Sequence, residues 1–144
     1  MPYVESSIVI KGDGTAIYDV IKDMASYPSF MQDVVSVEIL ERGDAHTISH
    51  WVTNPDGRKI VWTERDNFYP DKLRITYTQV EGDLKKLEGA WSIEPETNGW
   101  KVTLVVDFEF GIPMIAGLLN PLLKKKVREN SENMLAAIKK QIEK

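Results

Sequence analysis

The stretch PMIAGLLNPLLKKKVRENSENMLAAIKKQIE, residues 113–143, is the only segment long and periodic enough for a helix of many turns. Ile115, Leu119, Leu123, Val127, Met134, Ile138 and Ile142 recur at intervals of four and seven, which lays one apolar stripe along a helix. Such a stripe needs a cover. Six strand-like segments joined by turns precede it, and a sheet with one apolar face covers a helix with one apolar stripe. Pro113 suits a first helical turn. Pro121 lacks the N–H its turn needs and disfavours helical geometry at Asn120. The pattern therefore predicts either a kink in one long helix or a break, with Asn120 capping a second helix after a short one over 112–119. In both cases Leu118, Leu119, Leu122 and Leu123 gather at the bend.

The turn signals upstream are Gly43-Asp44, Asn54-Pro55-Asp56-Gly57, Pro70-Asp71, Gly82-Asp83 and Pro95 to Gly99. Their spacing predicts a meander of strands over 34–43, 45–54, 58–69, 72–81, 84–94 and 100–110, after a first strand from Tyr3 to Ile10. Between the first strand and the meander, Thr15 can cap a helix with Ile17, Val20, Ile21 and Met24 on one face, ending near Ala25. Tyr27-Pro28-Ser29-Phe30-Met31 then reads as a turn or short helix whose aromatics plug one end of the sheet. No repeat, low-complexity tract or linker divides the chain, so residues 1–144 are expected to form one domain.

Period-two alternation selects the inward face. Val102, Leu104, Val106, Phe108 and Phe110 oppose Lys101, Thr103, Val105, Asp107 and Glu109. Leu87, Gly89, Trp91 and Ile93 share a face, as do Leu73, Ile75 and Tyr77. In the 58–69 strand, Ile60, Trp62, Glu64, Asp66 and Phe68 make the better inward set. Over 45–54 two faces compete, Thr47, Ser49, Trp51 and Thr53 against His46, Ile48, His50 and Val52. The first is preferred inward, because two histidines are cheaper to solvate than to bury.

A chain of 144 residues and net charge -4 can bury a sizeable core, and its acidity argues against a nucleic-acid surface, which needs a concentrated basic face. Lys124, Lys125 and Lys126 make the one basic run; it reads first as a solvated helix face, with transient membrane or protein contact as the alternative. Absence of cysteine excludes disulfides and thiol catalysis and suits the cytoplasm. Neither a signal peptide nor a transmembrane segment is expected, since no stretch reaches the ~20 apolar residues of a membrane span.

The order strand, helix pair, six-strand meander, long C-terminal helix resembles the helix-grip fold of the START-like (SRPBCC) superfamily, in its polyketide cyclase/dehydrase and coenzyme Q-binding branch. Three stretches carry the resemblance: Ser6 to Ile10; Ala16 to Asp23 with Tyr27-Pro28-Ser29-Phe30; and Leu87-Glu88-Gly89-Ala90-Trp91-Ser92-Ile93. It implies an α+β fold, a curved antiparallel sheet wrapped around a kinked C-terminal helix, with an apolar cavity between them for a lipid, quinone, sterol or polyketide. The residues expected to line that cavity are Trp51, Trp62, Glu64, Tyr77, Leu87, Trp91, Phe108, Phe110, Leu118, Leu119, Leu122 and Leu123.

Motifs for other chemistry are missing. There is no Gly-x-Ser-x-Gly elbow, no Walker or dinucleotide fingerprint, and no nucleotide or other cofactor is expected. His46 and His50 are roughly 13 Å apart along a strand, too far to share a metal, so no metal site is expected. Glu64 is the polar residue of interest. Pointing inward with Trp62, it would be costly to ionise unless paired, and a raised pKa would suit a proton donor or base; an ion pair or an exposed place at the mouth is the plainer reading. Polyketide aromatase/cyclases resemble this strand at Trp62-Thr63 and use an interior arginine. Arg65 is the nearest match, but alternation turns it outward. Binding of a small hydrophobic molecule is therefore expected first, a cyclase or dehydratase second, and a protein-interaction module with a filled cavity third.

Overall fold

A computed structural model describes residues 3–54, 59–109 and 116–144, with the side chains of 116–122 not described. Seven antiparallel strands form one sheet: β1 (Tyr3–Ile10), β2 (Val34–Arg42), β3 (His46–Thr53), β4 (Ile60–Tyr69), β5 (Arg74–Gly82), β6 (Lys86–Glu96) and β7 (Gly99–Glu109). Their order is β1-β7-β6-β5-β4-β3-β2, so β2 to β7 run as a meander and β1 closes on the last strand. Helix α1 (Gly14–Lys22) and a 3-10 turn (Met24–Ser29) carry the chain from one edge of the sheet to the other. Helix α2 (Ala116–Ile142) lies closest to β1 and also meets β7 and α1. This is the expected α+β arrangement of a curved sheet and a long C-terminal helix.

Three expectations change. α2 is one helix through Asn120 and Pro121, so the two-helix alternative is corrected. Pro121 removes only the bond to the carbonyl four residues before it, and the turns on both sides remain. Secondly, the N-cap position of α1 is Asp13, without a side-chain capping bond, and not Thr15, and the helix stops at Lys22, because the chain tightens into the 3-10 turn that accommodates Pro28. Thirdly, Leu73 is not a strand residue: it takes a left-handed conformation (φ 50°) after the 3-10 turn Pro70–Lys72, and β5 starts one residue later. Phe110 and residues 111–115, including Pro113 and Ile115, lie outside the described residues.

The alternation holds. Val102, Leu104, Val106 and Phe108 of β7, Trp91 and Ile93 of β6, Ile75 and Tyr77 of β5, and Phe68 of β4 are buried in one cluster with Leu135 and Ile138 of α2. Thr47, Ser49, Trp51 and Thr53 of β3 are all buried, as the preference for an inward Trp51 requires. Ser131 fills the stripe on α2 between Val127 and Met134 and is itself buried. Tyr27 of the 3-10 turn is fully buried and meets Trp51 and Trp91 edge-on, with ring centroids 5.6 and 6.4 Å away. One short turn thus touches both sides of the curved sheet and plugs it, as the sequence suggested.

Candidate functional site

Inside this apolar cluster sits a polar one, built from cross-strand neighbours on β3 and β4. Register pairs Trp51 with Trp62, Ser49 with Glu64 and Thr47 with Asp66. The two indoles stack with centroids 5.5 Å apart and planes 7° from parallel. Trp62 Nε1 donates to Glu64 Oε1 at 2.7 Å. Asp66 Oδ2 accepts from Ser49 Oγ at 2.6 Å and from Thr47 Oγ1 at 3.0 Å, while Trp51 Nε1 donates to Ser49 Oγ at 2.9 Å. Glu64 is 3% exposed and Asp66 0%.

The carboxyl of Glu64 is held well above the usual range for a glutamate. Burial is the largest cause, followed by a hydrogen bond to Asp66 and the charge there; the Trp62 indole pulls weakly the other way. With Oε1 engaged by Trp62, the Glu64 proton is directed to Asp66. Both nearby phenols, Tyr27 and Tyr77, are pushed up by burial and then by these two carboxyls. The charged neighbours behind these shifts are all acidic. Tyr27 donates to the Ile21 carbonyl, and Tyr77 to the Val105 carbonyl at 2.7 Å. The Tyr77 ring reaches Val105 across Gly89, where a Cβ would collide with that carbonyl and the phenol. The glycine is what lets the ring lie flat on the sheet.

Burial grades along the inner face. Around Tyr27, Ile75 and Ile138 it is sealed, whereas Trp62 of β4, Leu87 of β6 and Leu123 and Val127 of α2 are half-buried and pack against the cluster's edge. This half-open end adjoins Glu64 through the Trp62 indole. A separate recess of about 650 Å³ lies on the opposite, outer face of the sheet, among Glu5, Arg74, Glu88, Lys101 and Asp107. Its walls are charged and hydroxylated, and offer little desolvation to an apolar molecule.

Of the residues expected at the site, Trp51, Tyr77, Trp91 and Phe108 are buried on the inner face with Glu64, and Trp62, Leu87 and Leu123 flank them. Phe110 and the side chains of Leu118, Leu119 and Leu122 lie outside the described residues. Arg65 is exposed, its Nε donating to Asn67 Oδ1 at 3.0 Å, so it shares nothing with Glu64. Among the described residues Glu64 has no ion-pair partner, and it is buried rather than at an exposed mouth, which corrects the plainer sequence reading. His46 pairs with Glu41 and His50 with Thr63 on the other face. Among the described residues, no three His, Asp or Glu side chains cluster as a metal site, and no helix is long and apolar enough to cross a membrane.

Sequence reasoning missed Asp66, Ser49, Thr47 and Gln79 as site residues. Alternation had put the first three inward; the missing signal was the strand register that brings them together. Gln79 lies opposite Glu64 on β5, beside an irregularity between Thr63 and Glu64 that alternation alone does not reveal.

A family model described as polyketide cyclase / dehydrase and lipid transport matches residues 13–135, and the chain belongs to that family. The helix-grip, START-like resemblance holds with it. The crystal structure of a protein from Thermus thermophilus is similar at a TM-score of 0.92 and 31% identity, covering 98% of this chain and 97% of that one. The actinorhodin polyketide synthase bifunctional cyclase/dehydratase of Streptomyces coelicolor is 27% identical over 124 residues, 85% of this chain but only 38% of that protein's length. The ribosome association toxin RatA of Vibrio cholerae is 27% identical over 116 residues, 80% of each chain.

Proposed function

We propose that residues 1–144 form one binding domain that holds a small hydrophobic molecule, lipid-, quinone- or polyketide-like, between the inner face of the sheet and α2. The ligand enters at the half-buried end marked by Trp62, Leu87 and Leu123, and Trp51, Tyr77, Trp91 and Phe108 form the deeper wall. The observation that carries this reading is the Glu64–Asp66 pair. A core built only for stability gains nothing from two desolvated carboxyls, whereas a binding site gains a polar end that orients its ligand. A cytoplasmic location is part of the same proposal. Native mass spectrometry of freshly purified protein, followed by organic extraction, tests it. A released hydrophobic molecule supports the reading; a ligand whose binding leaves Trp51 and Trp62 emission unchanged overturns the site.

One observation favours a second reading, cyclisation or dehydration of a polyketide-like substrate. Glu64 keeps its proton at pH values where an ordinary glutamate has lost it, and a buried carboxylic acid can protonate a leaving hydroxyl or a carbonyl oxygen. The name of the Streptomyces relative agrees with that chemistry for its own protein. Turnover of a poly-β-keto thioester that disappears in Glu64→Gln, with folding and binding intact, would put the enzyme ahead of the carrier. Ribosome association, stated in the name of the Vibrio relative, has less support, because a net charge of -4 disfavours an RNA surface.

A further inference from the structure

The hydrogen-bonding capacity around the Glu64–Asp66 pair is one-sided. The indole, hydroxyl and phenol donors around the carboxyl pair are used within the protein: Trp62 on Glu64, Trp51 on Ser49, Ser49 and Thr47 on Asp66, and Tyr77 and Tyr27 on backbone carbonyls. On β4 and β5, the buried polar side-chain atoms without a partner are Asp66 Oδ1 and Gln79 Oε1. Both are acceptors. The Gln79 amide is fixed this way round because its Nε2 donates to the Leu84 carbonyl at 2.8 Å, and a flipped amide would set two oxygens against each other. Gln79 lies directly across from Glu64 in the register, and its Oε1 sits on the Trp62 side, within 2.8 Å of where a Cβ on Gly82 would be. The Glu64 proton, directed to Asp66, answers Asp66 Oδ1. Gln79 Oε1 stays unanswered, on the Trp62 side, at the end of the inner face that is half open.

We infer that the site takes an uncharged ligand whose polar end is a hydroxyl, a phenol, enol or alcohol that donates to Gln79 beside the Glu64–Asp66 pair, and that it rejects ligands headed by a carboxylate or phosphate. This rests on the binding reading above and narrows it. An anionic head would bring lone pairs to a surface already offering lone pairs, next to buried acidic groups with no cation among the neighbours that set their charge. A ketone or quinone carbonyl placed against the pair would likewise find its indole, hydroxyl and phenol donors occupied. A hydroxyl supplies the donor that Gln79 Oε1 needs.

Three probes of one ring system separate the possibilities: 2-naphthol, 2-methoxynaphthalene and 2-naphthoate, titrated at neutral pH by calorimetry and by ligand-observed NMR. Naphthol should bind roughly tenfold more tightly than the methyl ether, the size of a hydrogen bond to a charged or otherwise unsatisfied buried group, and naphthoate more weakly than either. In Gln79→Met, which removes the acceptor at similar length, naphthol should fall to the affinity of the methyl ether while the ether is unchanged. In Asp66→Asn the naphthol-to-naphthoate ratio should shrink. Ratios within one variant do not depend on its stability, and the wild-type ratios stand even if Asp66→Asn fails to fold. Naphthoate binding as tightly as naphthol, or naphthol no tighter than its ether, overturns the inference and leaves the binding site standing. Failure of all three probes to bind overturns the binding reading and the inference with it.

Discussion

Replacing Glu64 with glutamine should make the protein more stable, and by an amount that grows with pH. Glutamine keeps an acceptor for Trp62 Nε1 and presents an N–H where Glu64 presents its proton to Asp66, so at low pH the two proteins should be nearly equal. Folded wild type holds that proton well above the ordinary value of 4.5, which the unfolded chain keeps. Between those two pKa values unfolding releases a proton, and the stability it confers, complete below the unfolded value, is lost as pH rises through the window to the folded value. The slope is about 1.4 kcal/mol per pH unit, and Glu64→Gln has no such proton to lose. The gap between variant and wild type should therefore open at that rate and level off beyond the folded pKa. For a chain of this size it corresponds to a separation in Tm of roughly 4 °C per pH unit. Urea unfolding followed by tryptophan emission, in steps from about pH 4 to about pH 8, measures both curves, and subtraction removes the groups that titrate alike in both. Parallel curves over the whole range would mean that Glu64 titrates in the folded protein as it does in the unfolded one, and the buried pair would be wrong.

Ser49→Ala removes the hydroxyl that accepts from Trp51 and donates to Asp66, leaving two buried groups short of a partner; a loss of about 2–4 kcal/mol in urea unfolding is expected. Gly89→Ala drives a methyl into the Val105 carbonyl and the Tyr77 phenol and should cost about 1–3 kcal/mol, with a lowered urea midpoint; an unchanged midpoint would mean that the Tyr77 ring does not lie there. Trp62→Phe should abolish the far-ultraviolet exciton couplet of the Trp51–Trp62 stack in circular dichroism, and Trp91→Phe should leave it intact. Trp62→Ala should weaken naphthol binding more than it weakens folding, because Trp62 is half-buried; equal losses in both would make it a core residue only.

The architecture was legible because its signals are local. Turn residues between apolar runs set the meander, period two set the inner face of β4 to β7, and the spacing of Leu123, Val127, Met134, Ile138 and Ile142 set the buried side of α2. Even the ambiguous β3 came out with Trp51, Ser49 and Thr47 inward, because the cost of burying His46 and His50 is a property of the residues themselves. The continuity of α2 through Pro121 was not legible. Local preference admits a kink or a break there, and the packing of the helix on β1 and β7 is not written in the residues around the proline.

The site divides along the same line. That Glu64 and Asp66 share a face follows from their spacing of two on a strand, so the sequence by itself could place two carboxyls inside and keep Arg65 out. Whether those carboxyls are paired, solvated or orphaned depends on what stands opposite, and that is set by inter-strand register. Register put Ser49 and Thr47 within reach of Asp66, Trp51 over Trp62, and Gln79 across from Glu64 beside an irregularity that local pattern does not encode. Curvature of the sheet then brought Tyr27 between Trp51 and Trp91, strands that are not neighbours. Burial of an alternating face is a one-body preference that each residue carries alone; a hydrogen-bond inventory is a many-body property of residues far apart in the chain, and only the folded structure decides it.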